Sequence, residues 1–320
     1  MKKAKLILLP ALVLLSALAC NESPKYANRA EMIVDQIHNP KSEYVVVICH
    51  RGDWRNFPEN SISAIESIIR MSADVMELDL KMTKDSVLVL SHDRDVLRCT
   101  NFKKVFRDQP DKSPLVSDLT YAEIQMLSLN RAHNVTIDTV KMPTLEQALR
   151  CCKDRICVNV DQGYEYYDQV LEISERLGVT DQILIKGKKA IDVVAAHEAR
   201  YEHNMMYMPI VDIQKPKGKA LFDSYIERGV VPLAYEVCWQ SNDDGLFDEV
   251  CRTILDQGSK IWVNTIWASL CGGEGNDDDA AYIADDPAQV YDQYLEKGVS
   301  MIQTDRPELL IGYLEKKGRH

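Results

Sequence analysis

The sequence predicts an α/β protein whose parallel strands close into a (β/α)8 barrel, and three observations carry that prediction. Eight short runs rich in Val, Ile and Leu begin at residues 44, 75, 155, 182, 206, 231, 260 and 299. Segments of helical period separate them, the pattern of repeated βα units. The runs are almost continuously apolar, as strands covered on both faces must be. An open doubly wound sheet, the main rival, wants a glycine-rich turn after its first strand. Here that strand runs into His50-Arg51-Gly52-Asp53, with no G-x-G-x-x-G. A length of 320 residues suits one large barrel as well as two smaller domains.

The chain opens on Met1-Lys2-Lys3-Ala4-Lys5 and an apolar stretch from Leu6 to Ala19. This is the charged start and short hydrophobic run of a secretory signal, too short to span a bilayer with ease. It ends Leu15-Ser16-Ala17-Leu18-Ala19-Cys20, similar to a bacterial lipoprotein box in which Cys20 becomes the acylated first residue. The expectation is a signal peptide over 1–19, a tether with a short helix over 20–43, and a barrel over 44–320. The mature protein is then an exported lipoprotein anchored to a membrane, periplasmic or at the cell surface.

The strands follow as YVVVICH (44–50), VMELDLK (75–81), RICVNVD (155–161), QILIKG (182–187), MYMPIVD (206–212), VPLAYEV (231–237), KIWVNTIW (260–267) and VSMIQTD (299–305). Their starts lie 24 to 39 residues apart, except for 80 between the second and third. That gap holds an insertion, about 94–143, preceded by a second extended run, SVLVLSHD (86–93). Between strands, Tyr167, Val170, Leu171 and Leu177 share one helix face and Gly178 supplies the stop. Gly229, Gly258 and Gly298 close helices in the same way. Thr120-x-x-Glu123 and Thr144-x-x-Gln147 are capping boxes.

Composition narrows the function. Lys and Arg number 38 against 49 Asp and Glu, a net charge of −11. That argues against nucleic acid, but a cationic patch or bound metal still permits a small phosphorylated substrate. The cysteines after Cys20 show no C-x-x-C spacing, and several sit in apolar runs, so they read as free core thiols and not as a zinc site.

Barrel active sites lie at the C-terminal ends of the strands. Those ends carry His50-Arg51, then Glu77 and Asp79, then His92-Asp93, Asp161, Lys186, Glu236, and finally Asn264 with Trp267. Glu77 and Asp79, two apart on one strand, share a face. With Asp161 from a neighbouring strand they suit a hard divalent cation. Two histidines and Arg51 beside such a cation match metal-assisted phosphoryl chemistry. One imidazole takes a proton from the nucleophile and the other protonates the leaving alkoxide.

His50-Arg51-Gly52, Pro58-Glu59-Asn60-Ser61, Glu77-Leu78-Asp79 and His92-Asp93 stand in an order and spacing that resembles the glycerophosphodiester phosphodiesterases. These belong to the wider group of (β/α)8 phosphodiesterases that includes phosphatidylinositol-specific phospholipase C. Pro143-Thr144-Leu145, Val158-Asn159-Val160-Asp161 and Gln303-Thr304-Asp305-Arg306-Pro307 extend the likeness over nearly all of 44–317. The resemblance implies that Glu77, Asp79 and Asp161 hold one Ca²⁺ or Mg²⁺, and that His50 and His92 are the acid/base pair. It implies too that Arg51 contacts phosphate and that Glu59 lies in the site.

Two departures stand out. Asp161 is one methylene shorter than the family's usual Glu, and Gln162-Gly163 stands where a lysine often follows. Lys186 is the candidate to supply that cation. Trp267 is the candidate to stack on the alcohol moiety. The loop Gly272–Asp279 reads as a solvated acidic loop, with a second calcium site or a lid as the sharper alternative. His133, in the insertion, has no assigned role.

The expected reaction is metal-dependent hydrolysis of a glycerophosphodiester to glycerol 3-phosphate and an alcohol. A phospholipase-like enzyme acting on a lipid or glycan phosphodiester is the nearest alternative. A non-catalytic binding lipoprotein on the same barrel has no use for paired acid/base groups. A lyase or aldolase wants a lysine or second-metal arrangement that these motifs lack. No protein partner is predicted.

Overall fold

The computed structural model describes residues 25–130, 140–241, 243, 245–267 and 276–320. The signal peptide, Cys20, His133, Cys271 and the first half of the acidic loop lie outside them. The first half of the chain gives α1 (Arg29–His38), β1 (Val46–His50), α2 (Ile62–Arg70), β2 (Val75–Leu78), β3 (Leu80–Met82), β4 (Leu88–Leu90), α3 (Phe102–Val105), α4 (Tyr121–Met126) and α5 (Leu145–Cys152). The second gives β5 (Cys157–Val160), α6 (Tyr167–Leu177), β6 (Ile183–Gly187), α7 (Ile191–Glu198), β7 (Met206–Asp212), α8 (Pro216–Arg228), β8 (Ala234–Cys238), α9 (Leu246–Asp256), β9 (Lys260–Asn264), α10 (Asp277–Ile283), α11 (Ala288–Glu296), β10 (Met301–Thr304) and α12 (Pro307–Lys316).

Eight strands form a closed parallel barrel in the order β1-β2-β5-β6-β7-β8-β9-β10. Closure comes from β1 pairing with both β2 (Ile48 opposite Val75) and β10 (Val46 opposite Met301). All eight expected strands are present. Their buried residues pack outward against helices such as α5 and α9. These bury Leu145, Ala148, Leu149 and Cys152, and Phe247, Val250, Cys251 and Ile254, each at i, i+3, i+4, i+7. Both expected capping boxes form, at Thr120 and Thr144. Gly178 and Gly229 end α6 and α8 in the left-handed region. The buried thiols of Cys49, Cys99, Cys152, Cys157 and Cys251 are free.

The short helix expected after the tether is α1, capped by Asn28, and its Ala30, Ile33 and Ile37 are buried against the barrel. Two expectations need correction. The run 75–81 is not one strand. It leaves the barrel at Asp79 and continues as β3, which pairs antiparallel with β4 as a separate hairpin. The run SVLVLSHD is therefore the second arm of that hairpin. It leads into an insertion with a small core of its own, including Val96, Phe102, Val116, Ile124 and Leu129.

The second correction concerns Asp277–Asp279, which are not solvated loop. They form the first turn of α10, and Asp278 is fully buried. A carboxylate is tolerated there because four donors meet it: the hydroxyls of Thr265, Thr304 and Tyr291 and the N–H of Asp305.

Candidate active site

The C-terminal mouth of the barrel collects the charged residues. Glu77, Asp79 and Asp161 each present a carboxylate oxygen, and these lie within 4.8 Å of one another. Glu77 is placed by β2, in register with His50 on β1. Asp79 is placed by the break that follows β2. Its N–H, freed from the barrel ladder, donates to Asn60 Oδ1 at 3.3 Å, and Asn60 Nδ2 donates back to Asp79 Oδ2 at 3.0 Å. Asp161 follows β5, and its N–H donates to the carbonyl of Leu78.

Three carboxylates this close repel one another. Burial, then the charges of Asp79 and Asp161, push the Glu77 carboxyl well above the usual carboxylate range. For Asp161 burial acts upward, but the Lys186 ammonium leads the influences that hold it below its ordinary value. An all-oxygen set of crowded, mutually repelling carboxylates, with Glu77 and Asp79 buried and Asp161 partly exposed, is donor chemistry that suits a Ca²⁺ or Mg²⁺ ion. The residues therefore fit the implied cation.

His50 is 4% exposed, and its Nδ1 lies 2.8 Å from Asp305 Oδ1. Trp54 Nε1 donates to the same oxygen at 2.5 Å. With Nδ1 engaged, the ring turns its Nε2 away from Asp305. Trp267 stands edge-on to His50 with ring centroids 5.5 Å apart. His92 is more open. Its Nδ1 meets Asp93 Oδ1 at 2.7 Å, and it lines the same cleft as Asp79 and Asp161.

Arg51 adopts φ 55° and Asn60 φ 54°, in the left-handed region that ordinary residues avoid. Gly52 follows at φ +76°, where a Cβ would come within 3.0 Å of the Ala64 Cβ. This bend turns the Arg51 N–H onto Glu77 Oε2 at 2.8 Å and sets its Nε 3.7 Å from Asp79. Arg51 Nη1 also reaches Glu59 at 3.3 Å. Glu59 does not join the carboxylate trio. It accepts from both terminal nitrogens of Arg98, at 2.7 and 2.8 Å, and so ties the insertion to the mouth. Burial acts to raise its pKa, but Arg98 and Arg51 hold it below the ordinary value.

Lys186 is buried, with Nζ 2.7 Å from Glu236 Oε2 and 3.4 Å from Asp161 Oδ1. It also lies 4.3 Å over the Trp262 ring. Burial disfavours its charge, yet Glu236, Asp161 and Glu77 together raise its pKa. The absent lysine after Asp161 has a steric reason. A Cβ on Gly163 would fall 2.4 Å from Val160 Cγ1, so this backbone takes no side chain there.

Several residues of the mouth carried no role in the sequence. Asp305 closes the last strand, and the strand-end rule that flagged Asp161 applies equally to it. Asn60 lay inside a quoted motif. Nothing local in the sequence marks Arg98, which reaches Glu59 and Asp93 from the insertion.

Residues 50–218, just over half of the chain, match the model of the glycerophosphoryl diester phosphodiesterase family. The chain belongs to this family. A second model, for a domain of unknown function, matches 207–314. The two matches overlap over 207–218, from β7 into the start of α8, so they are overlapping parts of one barrel and not two folds.

A glycerophosphodiester phosphodiesterase from Caldanaerobacter subterraneus is 34% identical over 130 residues, covering 40% of this chain and 49% of that protein. The chain spans about half the length of the curated relatives it matches. Among solved structures, a glycerophosphoryl diester phosphodiesterase from Parabacteroides distasonis superposes with a TM-score of 0.69. It is 19% identical and covers 90% of this chain and 92% of its own. A phosphodiesterase from Oleispira antarctica, solved with the product sn-glycerol-3-phosphate, gives a TM-score of 0.58 at 15% identity, covering 84% and 96%. These likenesses are of fold.

Proposed function

We propose that the chain is a phosphoric diester hydrolase that cleaves glycerophosphodiesters to glycerol 3-phosphate and an alcohol. The observation that carries this reading is the carboxylate trio, Glu77, Asp79 and Asp161, converging within 4.8 Å beside a carboxylate-held His50. A Ca²⁺ or Mg²⁺ ion held by the three would supply charge neutralisation for the phosphate oxygens. Arg51 presents its guanidinium next to the trio and shares the phosphate charge. Lys186 holds Asp161 in place and keeps the buried anions compensated.

His50 and His92 serve as base and acid. Each is oriented through Nδ1 by a carboxylate, Asp305 and Asp93 respectively, so each has Nε2 for proton transfer. One takes the proton from the nucleophile as its oxygen bonds to phosphorus, and the other protonates the departing alkoxide as its bond to phosphorus breaks, with one water consumed over the whole hydrolysis. Trp267 supplies a flat wall for one alcohol arm of the diester.

The test is release of glycerol 3-phosphate from glycerophosphocholine, -ethanolamine, -inositol and -glycerol, with EDTA, Ca²⁺ or Mg²⁺ and a His50→Ala control. Metal-dependent release abolished by the control supports the proposal. Silence with metal bound would transfer it to a bulkier lipid or glycan diester, and silence without metal binding would sink it. We propose further that Cys20 is lipidated and anchors an exported protein. In that case Cys20→Ser shifts the protein from the membrane to the soluble fraction, and unchanged fractionation would refute the anchor.

A further inference from the structure

We propose that the cleft running from the carboxylate trio toward Tyr164 selects substrates carrying a second phosphate. That group would sit on the diester arm lying across the mouth from Trp267. The inference rests on the phosphodiesterase reading above. The cleft measures about 770 Å³ and includes Asp79, Asp161 and His92 at its catalytic end. This is far more room than glycerol 3-phosphate fills, and within the range of sites for larger ligands. In the ring of eight strands, β5 stands diametrically opposite β9, the strand that Trp267 follows. The two walls therefore receive opposite arms of one diester.

The charge of this cleft runs against that of the molecule. Lys81, Arg94, Lys188 and Lys189 all line it, in a chain with eleven more acidic than basic side chains. They come from three separate segments: β3, the start of the insertion and the loop between β6 and α7. Among the described residues none of the four is ion-paired to a carboxylate. Lys81 is held only by the neutral carbonyls of Leu80 and Ser91. Lys189 lies 5.4 Å over the Tyr164 ring. Other surface cations, such as Lys219 with Asp223, Arg228 with Asp192 and Arg150 with Glu146, are paired, while isolated ones such as Lys41, Lys217 and Arg252 line no part of this cleft. What sets the four apart is that they gather on one concave wall beside the carboxylate trio.

Away from the carboxylate trio, Glu165 is the one acid among the described residues that line this cleft, so the four cations outnumber their counter-charge there. Like charges gathered around a concave wall repel, and the arrangement becomes favourable when a ligand brings the anion. Tyr164 and Tyr166 add flat walls with hydroxyl tips, suited to the polyol that bears the phosphate. Because the cations face a cleft and not a flat surface, a small polyanionic arm fits them better than an anionic membrane does.

The test compares two ligands that differ by one phosphate: glycerophosphoglycerol and the same diester carrying a terminal phosphate monoester. Binding to the full chain is read by calorimetry with Ca²⁺ present, and turnover by loss of substrate in mass spectrometry. The expected result is a preference of about tenfold or more for the phosphorylated ligand, since a charge-assisted contact contributes roughly 1.5–3 kcal/mol. The preference should fall as salt rises. The Arg94→Ser variant and the Lys188→Ser/Lys189→Ser double variant should each bring the ratio toward unity.

Equal affinity of the parent for both ligands overturns the subsite, and so does a ratio the variants leave in place. Selective binding with no turnover of either ligand keeps the subsite and defeats the hydrolase reading instead. If the variants lose binding to anionic phosphatidylglycerol vesicles while the ligand ratio is unmoved, the cations serve a membrane and the proposal fails.

Discussion

His50 and Asp305 stand 255 positions apart, yet one 2.8 Å contact between them engages Nδ1 of the ring and leaves Nε2 on its other side. Asp305 is itself fixed, since its carboxylate accepts from Trp54 and its N–H donates to buried Asp278. On the mechanism proposed here Asp305 acts through His50, as a positioning residue. Asp305→Asn keeps the shape but offers an amide where a carboxylate was, which favours the wrong imidazole tautomer. We expect kcat to fall about 10²- to 10⁴-fold with little change in KM. Steady-state kinetics on the preferred diester reads this directly, and a loss under about threefold would show that the contact does not orient His50 for proton transfer.

The elements that close the mouth meet at Asp278 of α10, which accepts four hydrogen bonds from the end of β9, from α11 and from the end of β10. Burial is the larger influence on this group, and although the donors work against it, its pKa is pushed up to about 6. The unfolded chain releases the same proton near 3.9. Between those values the folded state holds more protons, so the contribution of Asp278 to stability falls as pH rises. It is greatest below about pH 4 and declines by on the order of 3 kcal/mol by pH 7. Urea unfolding of the parent and of Asp278→Asn at pH 4 and pH 7 isolates this contribution from the other carboxylates. The advantage of the parent over the variant should shrink by that amount, and a pH-independent difference would mean that Asp278 ionises like an exposed acid.

At the scale of the whole molecule, the end of the barrel opposite the mouth is also tied by a buried acid. Asp74, just ahead of β2, accepts from Val47 N–H and the Tyr44 hydroxyl, and pairs with Arg29 of α1 and with His320. One carboxylate thus joins both ends of the described chain to the barrel. Asp74→Ala leaves those donors without an acceptor and should destabilise by roughly 3 kcal/mol, measured by urea unfolding. Because the catalytic mouth lies at the other end of the strands, kcat should be unaffected. A loss of stability below about 0.5 kcal/mol would show that the network contributes nothing.

Strand count, barrel closure and the carboxylates that meet in the mouth were all legible in the amino-acid sequence. Period, capping and strand-end position are local properties that a chain displays residue by residue. Glu77, Asp79, Asp161, His50, His92, Arg51 and Lys186 all stand at or beside strand ends, where barrel geometry brings distant positions together. Only the tertiary structure decided the rest. The break at Asp79 depends on Asn60, nineteen positions away, competing for its N–H. The attachment of the insertion depends on Arg98 reaching back to Glu59 across 39 positions. Asp277–Asp279 read as loop because acid-rich, glycine-preceded sequence favours solvent, yet three hydroxyls from separate elements draw Asp278 inside. A chain announces its own local preferences. It does not announce which distant donor will satisfy a buried acceptor, because that pairing exists only once the strands have closed.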